Sequence, residues 1–227
     1  MKKEIIILVP PSPETETEKI RGTFRNRMER SYKGWSDEYD KQWDDHSFHF
    51  AYKEGEEYLA TCRLILKRYN NIEFATPMEQ ADVSNYIIPD YYKNCVEGGM
   101  VTFSSIPAMK TLMLYACDWL IVNKFDYLVT CYDVNNEFIK NLYHHVLGLT
   151  DVNQAILKYS GFTTHNDKNL VAWQVVDGDI NKFALAIKEA LSKDLNICTS
   201  GFSFPSVQEW MNSKTSNDKG AAHRSYL

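Results

Sequence analysis

The sequence predicts a single α/β domain built on one mixed sheet, and three observations carry that prediction. Its 227 residues are 44% hydrophobic, enough for one sizeable core. Strand-like and helix-like stretches follow the order strand, helix, hairpin, strand, helix, strand, helix, strand, which is not the steady alternation of a doubly wound sheet. No G-x-G-x-x-G follows a strand, and no G-x-x-x-x-G-K-[ST] occurs, so dinucleotide-binding and P-loop readings lack their phosphate cradle.

Each element has its own signal. The apolar run Ile5 to Val9 reads as a short strand closed by Pro10 and Pro11. From Glu14 to about Lys33 the pattern is helical, with Ile20, Phe24 and Met28 at four-residue spacing on one face and Arg21, Arg25, Arg27 and Arg30 around it. "SFHFAY" and "YLATCRLIL" flank a polar turn at Gly55 and read as a hairpin. Asn70 to Asn94 has turn chemistry and no clean period, as in a loop with short helical turns. "VEGGMVTFSS" reads as a strand in which Gly98 and Gly99 suggest a bulge or a close backbone approach. Pro107 opens a helix to about Asn123, with Leu112, Tyr115, Ala116, Trp119 and Leu120 as its buried stripe. "FDYLVTCY" is a strand, and "NNEFIKNLYHHVLG" a helix capped by an Asn and closed by Gly148. "NLVAWQVV" is a further strand, and Asp179 to about Lys193 an amphipathic helix. Residues 1–195 are expected to form the domain and 196–227 an extension whose polar tip is mobile.

Composition narrows the function. A net charge of −5 argues against binding nucleic acid by general electrostatic attraction. The five cysteines are odd in number and show no C-x-x-C spacing, which suits reduced thiols rather than a disulfide framework. The apolar run near the N-terminus is too short for a signal peptide, and no segment reaches membrane-spanning length. The expectation is a cytoplasmic protein with no membrane span.

Between Asp37 and Asp45 five carboxylates fall within nine positions, at Asp37, Glu38, Asp40, Asp44 and Asp45. Such a run is either a solvated loop or a pocket for a cationic small molecule. Its surroundings carry further patterns: Arg21-x-x-Phe24-x-x-Arg27, Trp35, "SDEYD" from Ser36, "TCRLIL" around Arg63, Glu97, and Asp44-x-x-Ser47-x-His49. Downstream, Asn136 is followed seven residues later by Tyr143 and then by Gly148. Together these resemble the GNAT acyltransferases, and within them the autoinducer synthases and the related N-acyl amino acid synthases, over roughly Ile20 to Val176. The acids at 38, 40 and 44 are spaced one position wider than the synthase pattern, and Met100 stands where that pattern has an arginine.

The resemblance implies the GNAT fold, a single domain whose fourth and fifth strands splay to admit a pantetheine arm. It implies an N-acyltransferase that takes an acyl group from a thioester on phosphopantetheine or CoA. The acceptor would be a small amine such as S-adenosylmethionine or an amino acid. No cofactor or metal is expected. By the same resemblance, Glu38, Asp40 and Asp44, with Trp35, Arg63, Arg21 and Arg27, would bind the acceptor. Val101, Thr102, Phe103, Ser104 and Asn136 would line the thioester arm, with backbone N–H groups of 101–104 holding the oxyanion. Glu97 is the candidate base, or else a structural partner of Arg21, Arg27 or Arg63. Tyr143 is the candidate proton donor to sulfur, or else core packing.

The loop "SSIPAMKTL" lacks the glycines with which acyl-CoA users of this fold grip pyrophosphate, which favours an acyl carrier protein as donor. Arg25, Arg30, Lys67, Arg68 and Lys110 are candidate docking charges for that acidic partner. Tyr86, Tyr91, Tyr92 and Phe103 either wall an acyl tunnel or belong to the core. Two other readings stay open: a catalytically silent module of the same fold, and an acyltransferase acting on a specialised-metabolite amine.

Overall fold

The computed structural model describes residues 2–12, 14–33, 41, 44–74, 90–164, 170–192, 202–215 and 223–226. The N-terminal apolar run forms β1 (Lys3–Leu8), and α1 (Glu14–Ser31) follows, running into the two-residue β2 (Tyr32–Lys33). Ile20, Phe24 and Met28 of α1 are all buried, as their spacing requires. After a single 3-10 turn at Asp44–His46, the expected hairpin is present as β3 (Ser47–Glu54) and β4 (Glu57–Tyr69). Its turn places Gly55 at φ 61°, where a side chain is disfavoured.

β5 (Ile72–Glu73) folds back on the end of β4, and β6 (Cys95–Phe103) leads into α2 (Ile106–Val122) and β7 (Tyr127–Asp133). The predicted helix after β7 is split into α3 (Glu137–Asn141) and a π-turn at Leu142–Val146. β8 (Thr150–Thr164), β9 (Leu170–Asp179), α4 (Ile180–Ser192), α5 (Val207–Thr215) and β10 (His223–Tyr226) complete the order. β8 has no counterpart in the sequence reading. Its residues do not alternate cleanly, and its pairing with β9 slips register twice, so the two-residue period is lost.

Among the described residues the strands form one sheet in the order β10-β1-β3-β4-β6-β7-β9-β8-β2, with β5 attached to β4. Every pairing is antiparallel except β6 with β7. On one face, α2, α4 and α5 bury a large aromatic core centred on Trp119, whose ring meets Phe48, Phe50 and Phe125 at 4.8, 5.3 and 5.4 Å. The predicted stripe of α2 is buried there in full. On the other face α1 lays Phe24 and Met28 on Val129 and Val175, and Ile20 on Ile6 and Leu8.

The C-terminal extension is part of this core. Trp119 Nε1 donates to the Pro205 carbonyl at 2.9 Å, the Val207 N–H donates to Asn123 Oδ1 at 2.8 Å, and Val207 and Trp210 are buried. Residues 223–226, inside the stretch expected to be a mobile tip, pair as β10 with β1. No helix among the described residues is long and apolar enough to cross a membrane.

Candidate active site

The two parallel strands at the centre of the sheet part company. β6 and β7 pair at Cys95–Tyr127, Val96–Leu128 and Glu97–Val129, and no further rung follows. Beyond that point β6 stays with β4 through Thr102 and Phe103, while β7 stays with β9 through Asp133. A wedge opens between them. Gly98 sits at its vertex, where an added Cβ would stand 3.4 Å from Leu128, and its carbonyl accepts a hydrogen bond from Thr130 Oγ1 at 2.9 Å. The bulge expected near the glycine pair lies just beyond it. Between Gly99 and Thr102, three steps of β6 oppose the two steps from Thr61 to Arg63 on β4.

That geometry sorts the backbone donors. The Ser104 N–H donates to the Leu59 carbonyl at 2.9 Å, so it faces β4 and not the wedge. Successive N–H groups of a strand point to opposite neighbours, so the N–H of Phe103 faces the wedge, while the bulge interrupts that alternation before Val101. Of the four residues expected to hold the oxyanion, Ser104 and, by the same alternation, Thr102 therefore drop out as backbone donors. Thr102 is buried, and its hydroxyl receives Arg27 Nη1 at 3.5 Å; the Arg27 guanidinium also lies 5.2 Å from the centre of the Phe103 ring. Arg27 thus spans from α1 to the free half of β6.

Glu97 ends the last shared rung and is only 4% exposed. Its carboxylate meets Lys67 Nζ at 2.6 Å, and Lys67 is itself buried. Lys67 was expected on the docking surface; it lies instead inside the sheet, beside the candidate base. Arg68, also expected there, is buried against Glu73 and the Tyr92 carbonyl. Arg63 is fully buried too, with its guanidinium over Gly99 on the strand that carries Glu97.

Arg21 and Asp44 are brought together with Arg63 on the α1 face, but their charges are already matched. The Arg21 guanidinium, with no exposed surface, is shared among Glu14, Glu18 and Asp44. The other Asp44 oxygen lies 3.2 Å from His49 Nε2. His49, which sits across from Arg63 in the β3–β4 ladder, is wholly buried, and burial holds its imidazole below its ordinary pKa despite Asp44. The sequence marks His49 within Asp44-x-x-Ser47-x-His49 but gives it no role of its own. Glu38, Asp40 and Trp35 lie outside the described residues.

Tyr143 stands in the π-turn, an irregularity common at functional sites. Its ring meets Tyr132 edge-on at 6.0 Å, and its hydroxyl hydrogen-bonds Thr130, the residue that bonds the vertex. Burial pushes that hydroxyl up to about 12. Giving its proton outright to a thiolate of ordinary acidity, about 8.5, costs about 5 kcal/mol. A hydrogen bond to sulfur is the affordable role. Neighbouring His144 ties the turn down through Leu149 O and Asp151 Oδ1, each at 3.1 Å. Asn136 is the N-cap of α3, its side-chain oxygen accepting from the Ile139 N–H at 3.1 Å, so only its amide N–H₂ can face a pantetheine arm.

The aromatic run does not make one wall. Tyr86 lies outside the described residues, Tyr91 is 75% exposed, Tyr92 stacks on Tyr127 at 4.0 Å, and Phe103 stands at the far end of β6. At the start of α2, Ser105 Oγ accepts from the Ala108 N–H, and Pro107 has no N–H to offer. Few free donors remain there for an anion.

No protein-family model and no curated protein matches this sequence. Solved structures do match the fold. FeeM, an N-acyl amino acid synthase from uncultured soil microbes, aligns at TM-score 0.57 and 13% identity, over 80% of this chain and 93% of its own. MesI, a CoA-dependent acyl-homoserine lactone synthase, aligns at TM-score 0.52 and 13% identity, over 87% of this chain and 100% of its own. An N-acetyltransferase from Staphylococcus aureus Mu50 aligns at TM-score 0.51 and 12% identity, over 80% of this chain and 99% of its own. The fold is that of the GNAT acyltransferases, as the sequence resemblance implied.

Proposed function

We propose that this chain is a GNAT-type N-acyltransferase, moving an acyl group from a pantetheine thioester to the amine of a small amino-acid-like acceptor. The observation that carries it is the wedge beyond the Glu97–Val129 rung, with a buried carboxylate at its vertex. The thioester arm lies between β6 and β7. The neutral amine attacks the carbonyl from the α1 side, and the Phe103 N–H group receives the oxyanion. Glu97 takes the proton released by nitrogen as the C–S bond breaks. Tyr143 donates a hydrogen bond to the departing sulfur.

A carrier protein is the proposed donor, since the start of α2 has few donors left for the pyrophosphate of CoA. Arg25, Arg30 and Lys110 remain its candidate docking charges. Asp44, held by Arg21 and near His49, is not a bare ligand for a cationic acceptor. That supports an amino acid over S-adenosylmethionine, whose use would be marked by lactone closure and release of methylthioadenosine.

The test is amine-dependent thiol release from acyl-carrier and acyl-CoA thioesters, offered with the common amino acids and S-adenosylmethionine. Mass spectrometry of extracts from overexpressing cells reads head group and chain length together. Glu97→Gln is expected to slow release at least about tenfold. Thioester binding without any amine-dependent release would instead favour the silent module.

A further inference from the structure

Lys67 lies two positions from Ile65, the residue opposite Glu97, on the same face of β4, and it sits at an irregularity of that strand. Leu66 faces Val96 and Arg68 faces Cys95 on β6, so Lys67 is an extra residue with no opposite number. Extra residues of this kind turn a side chain out of simple alternation and are frequent beside active sites. The phase change is visible in packing: Leu66 and Tyr69, an odd number of positions apart, both join the α2-side core. In a regular strand they would point to opposite faces. The bulge sits within two rungs of the vertex where β6 and β7 separate.

Lys67 Nζ lies 2.6 Å from Glu97 Oε2, with side chains 4% and 5% exposed. A buried ion pair is a poor stability device, since apolar residues of the same volume would serve the fold as well. Leaving either charge alone inside the sheet would be costly, so each requires the other. Other charged groups bear on the same face: Arg63 from β4 over Gly99, Arg21 and Arg27 from α1, and the Cys95 thiol, which burial pushes up, from β6 itself. Lys67 is placed at ion-pair distance from the carboxylate.

We propose that Lys67 is a positioning residue for acyl transfer: from β4 its side chain holds the Glu97 carboxylate in one orientation at the vertex of the wedge. This rests on the reading of Glu97 as the base. In the reaction the amine N–H proton passes to Glu97, the new C–N bond forms, and the C–S pair leaves with the thiolate. Lys67 does not touch the reacting atoms; it acts through Glu97.

The experiment is a double-mutant cycle on the full chain, reading amine-dependent thiol release from acyl-carrier and acyl-CoA thioesters, with kcat and KM determined separately. Lys67→Met is expected to lower kcat at least about tenfold while KM for thioester and amine moves less than about twofold. Lys67→Arg is expected to restore most of the rate. In a Glu97→Gln background, Lys67→Met should cost nothing further. If Lys67→Met alone does not fold, the comparison of Glu97→Gln with Lys67→Met/Glu97→Gln decides, because the double variant removes both charges of the pair; equal rates support the proposal. Wild-type kcat in Lys67→Met, or an equal loss in both backgrounds, overturns it. Wild-type turnover in Glu97→Gln overturns the reading of Glu97, and this proposal with it; an impaired Glu97→Gln beside an unimpaired Lys67→Met overturns the role of Lys67 alone.

Discussion

Thr130 Oγ1 donates to the Gly98 carbonyl at 2.9 Å, one residue beyond the last backbone rung between β6 and β7. A side chain thus closes the vertex just where the ladder stops, and the same hydroxyl is hydrogen-bonded with Tyr143. Thr130→Val keeps the shape and removes the bond. It is expected to cost about 1 kcal/mol in denaturant unfolding and to lower turnover several-fold. Thr130→Ser should stay near wild type, and a Val variant unchanged in both measurements would remove the hydroxyl from the vertex.

Tyr143→Phe separates two magnitudes. Loss of a hydrogen bond to sulfur, worth about 1 kcal/mol, predicts a fall in kcat of about five- to tenfold. Loss of a full proton donor predicts about a hundredfold or more. With the hydroxyl held near 12, the smaller effect is expected. A hundredfold fall in steady-state kcat would restore Tyr143 as the acid.

His49 makes stability depend on pH. Burial sets its folded-state pKa below the ordinary 6.5, so between the lowered value and 6.5 the unfolded chain binds the extra proton. Stability from this group is complete above about pH 6.5 and declines as pH falls below it, by at most about 1.4 kcal/mol per pH unit. Thermal unfolding from pH 7.5 to 5 should reveal that slope, and His49→Gln should flatten it. A slope unchanged in His49→Gln would assign it to another group.

Truncation before residue 202 tests whether the C-terminal extension belongs to the domain. It removes the buried Val207 and Trp210 and leaves the indole N–H of Trp119 without the Pro205 carbonyl. Deleting a buried tryptophan alone costs about 3–5 kcal/mol. A clear drop in melting temperature is expected, and an unchanged one would show that the core closes without α5.

Much of the scaffold is legible in the chain itself. Ile20, Phe24 and Met28, and the stripe from Leu112 to Leu120, are buried because a helix repeats its faces at a fixed period. Gly55 turns the hairpin, Asn136 caps α3, and the order of elements leads to a mixed sheet with one parallel pair at its centre. These features are local: each depends on residues a few positions apart.

The parts that were not legible depend on register between distant strands. Whether β6 and β7 separate at Glu97 or at Thr102 is decided by which outer neighbour each strand follows. β8 escaped the sequence reading because its pairing slips twice and erases the two-residue alternation. The register of β4 on β6 makes an apparent surface cation, Lys67, the buried partner of Glu97, and Asp44 exchanges a free role for Arg21 and His49 through contacts spanning helix, turn and strand. Sequence alone determined which residues could carry acyl-transfer chemistry and on which elements they lie. Only the assembled sheet decided which charges meet, because a one-residue slip in a strand reverses the face on which a side chain appears.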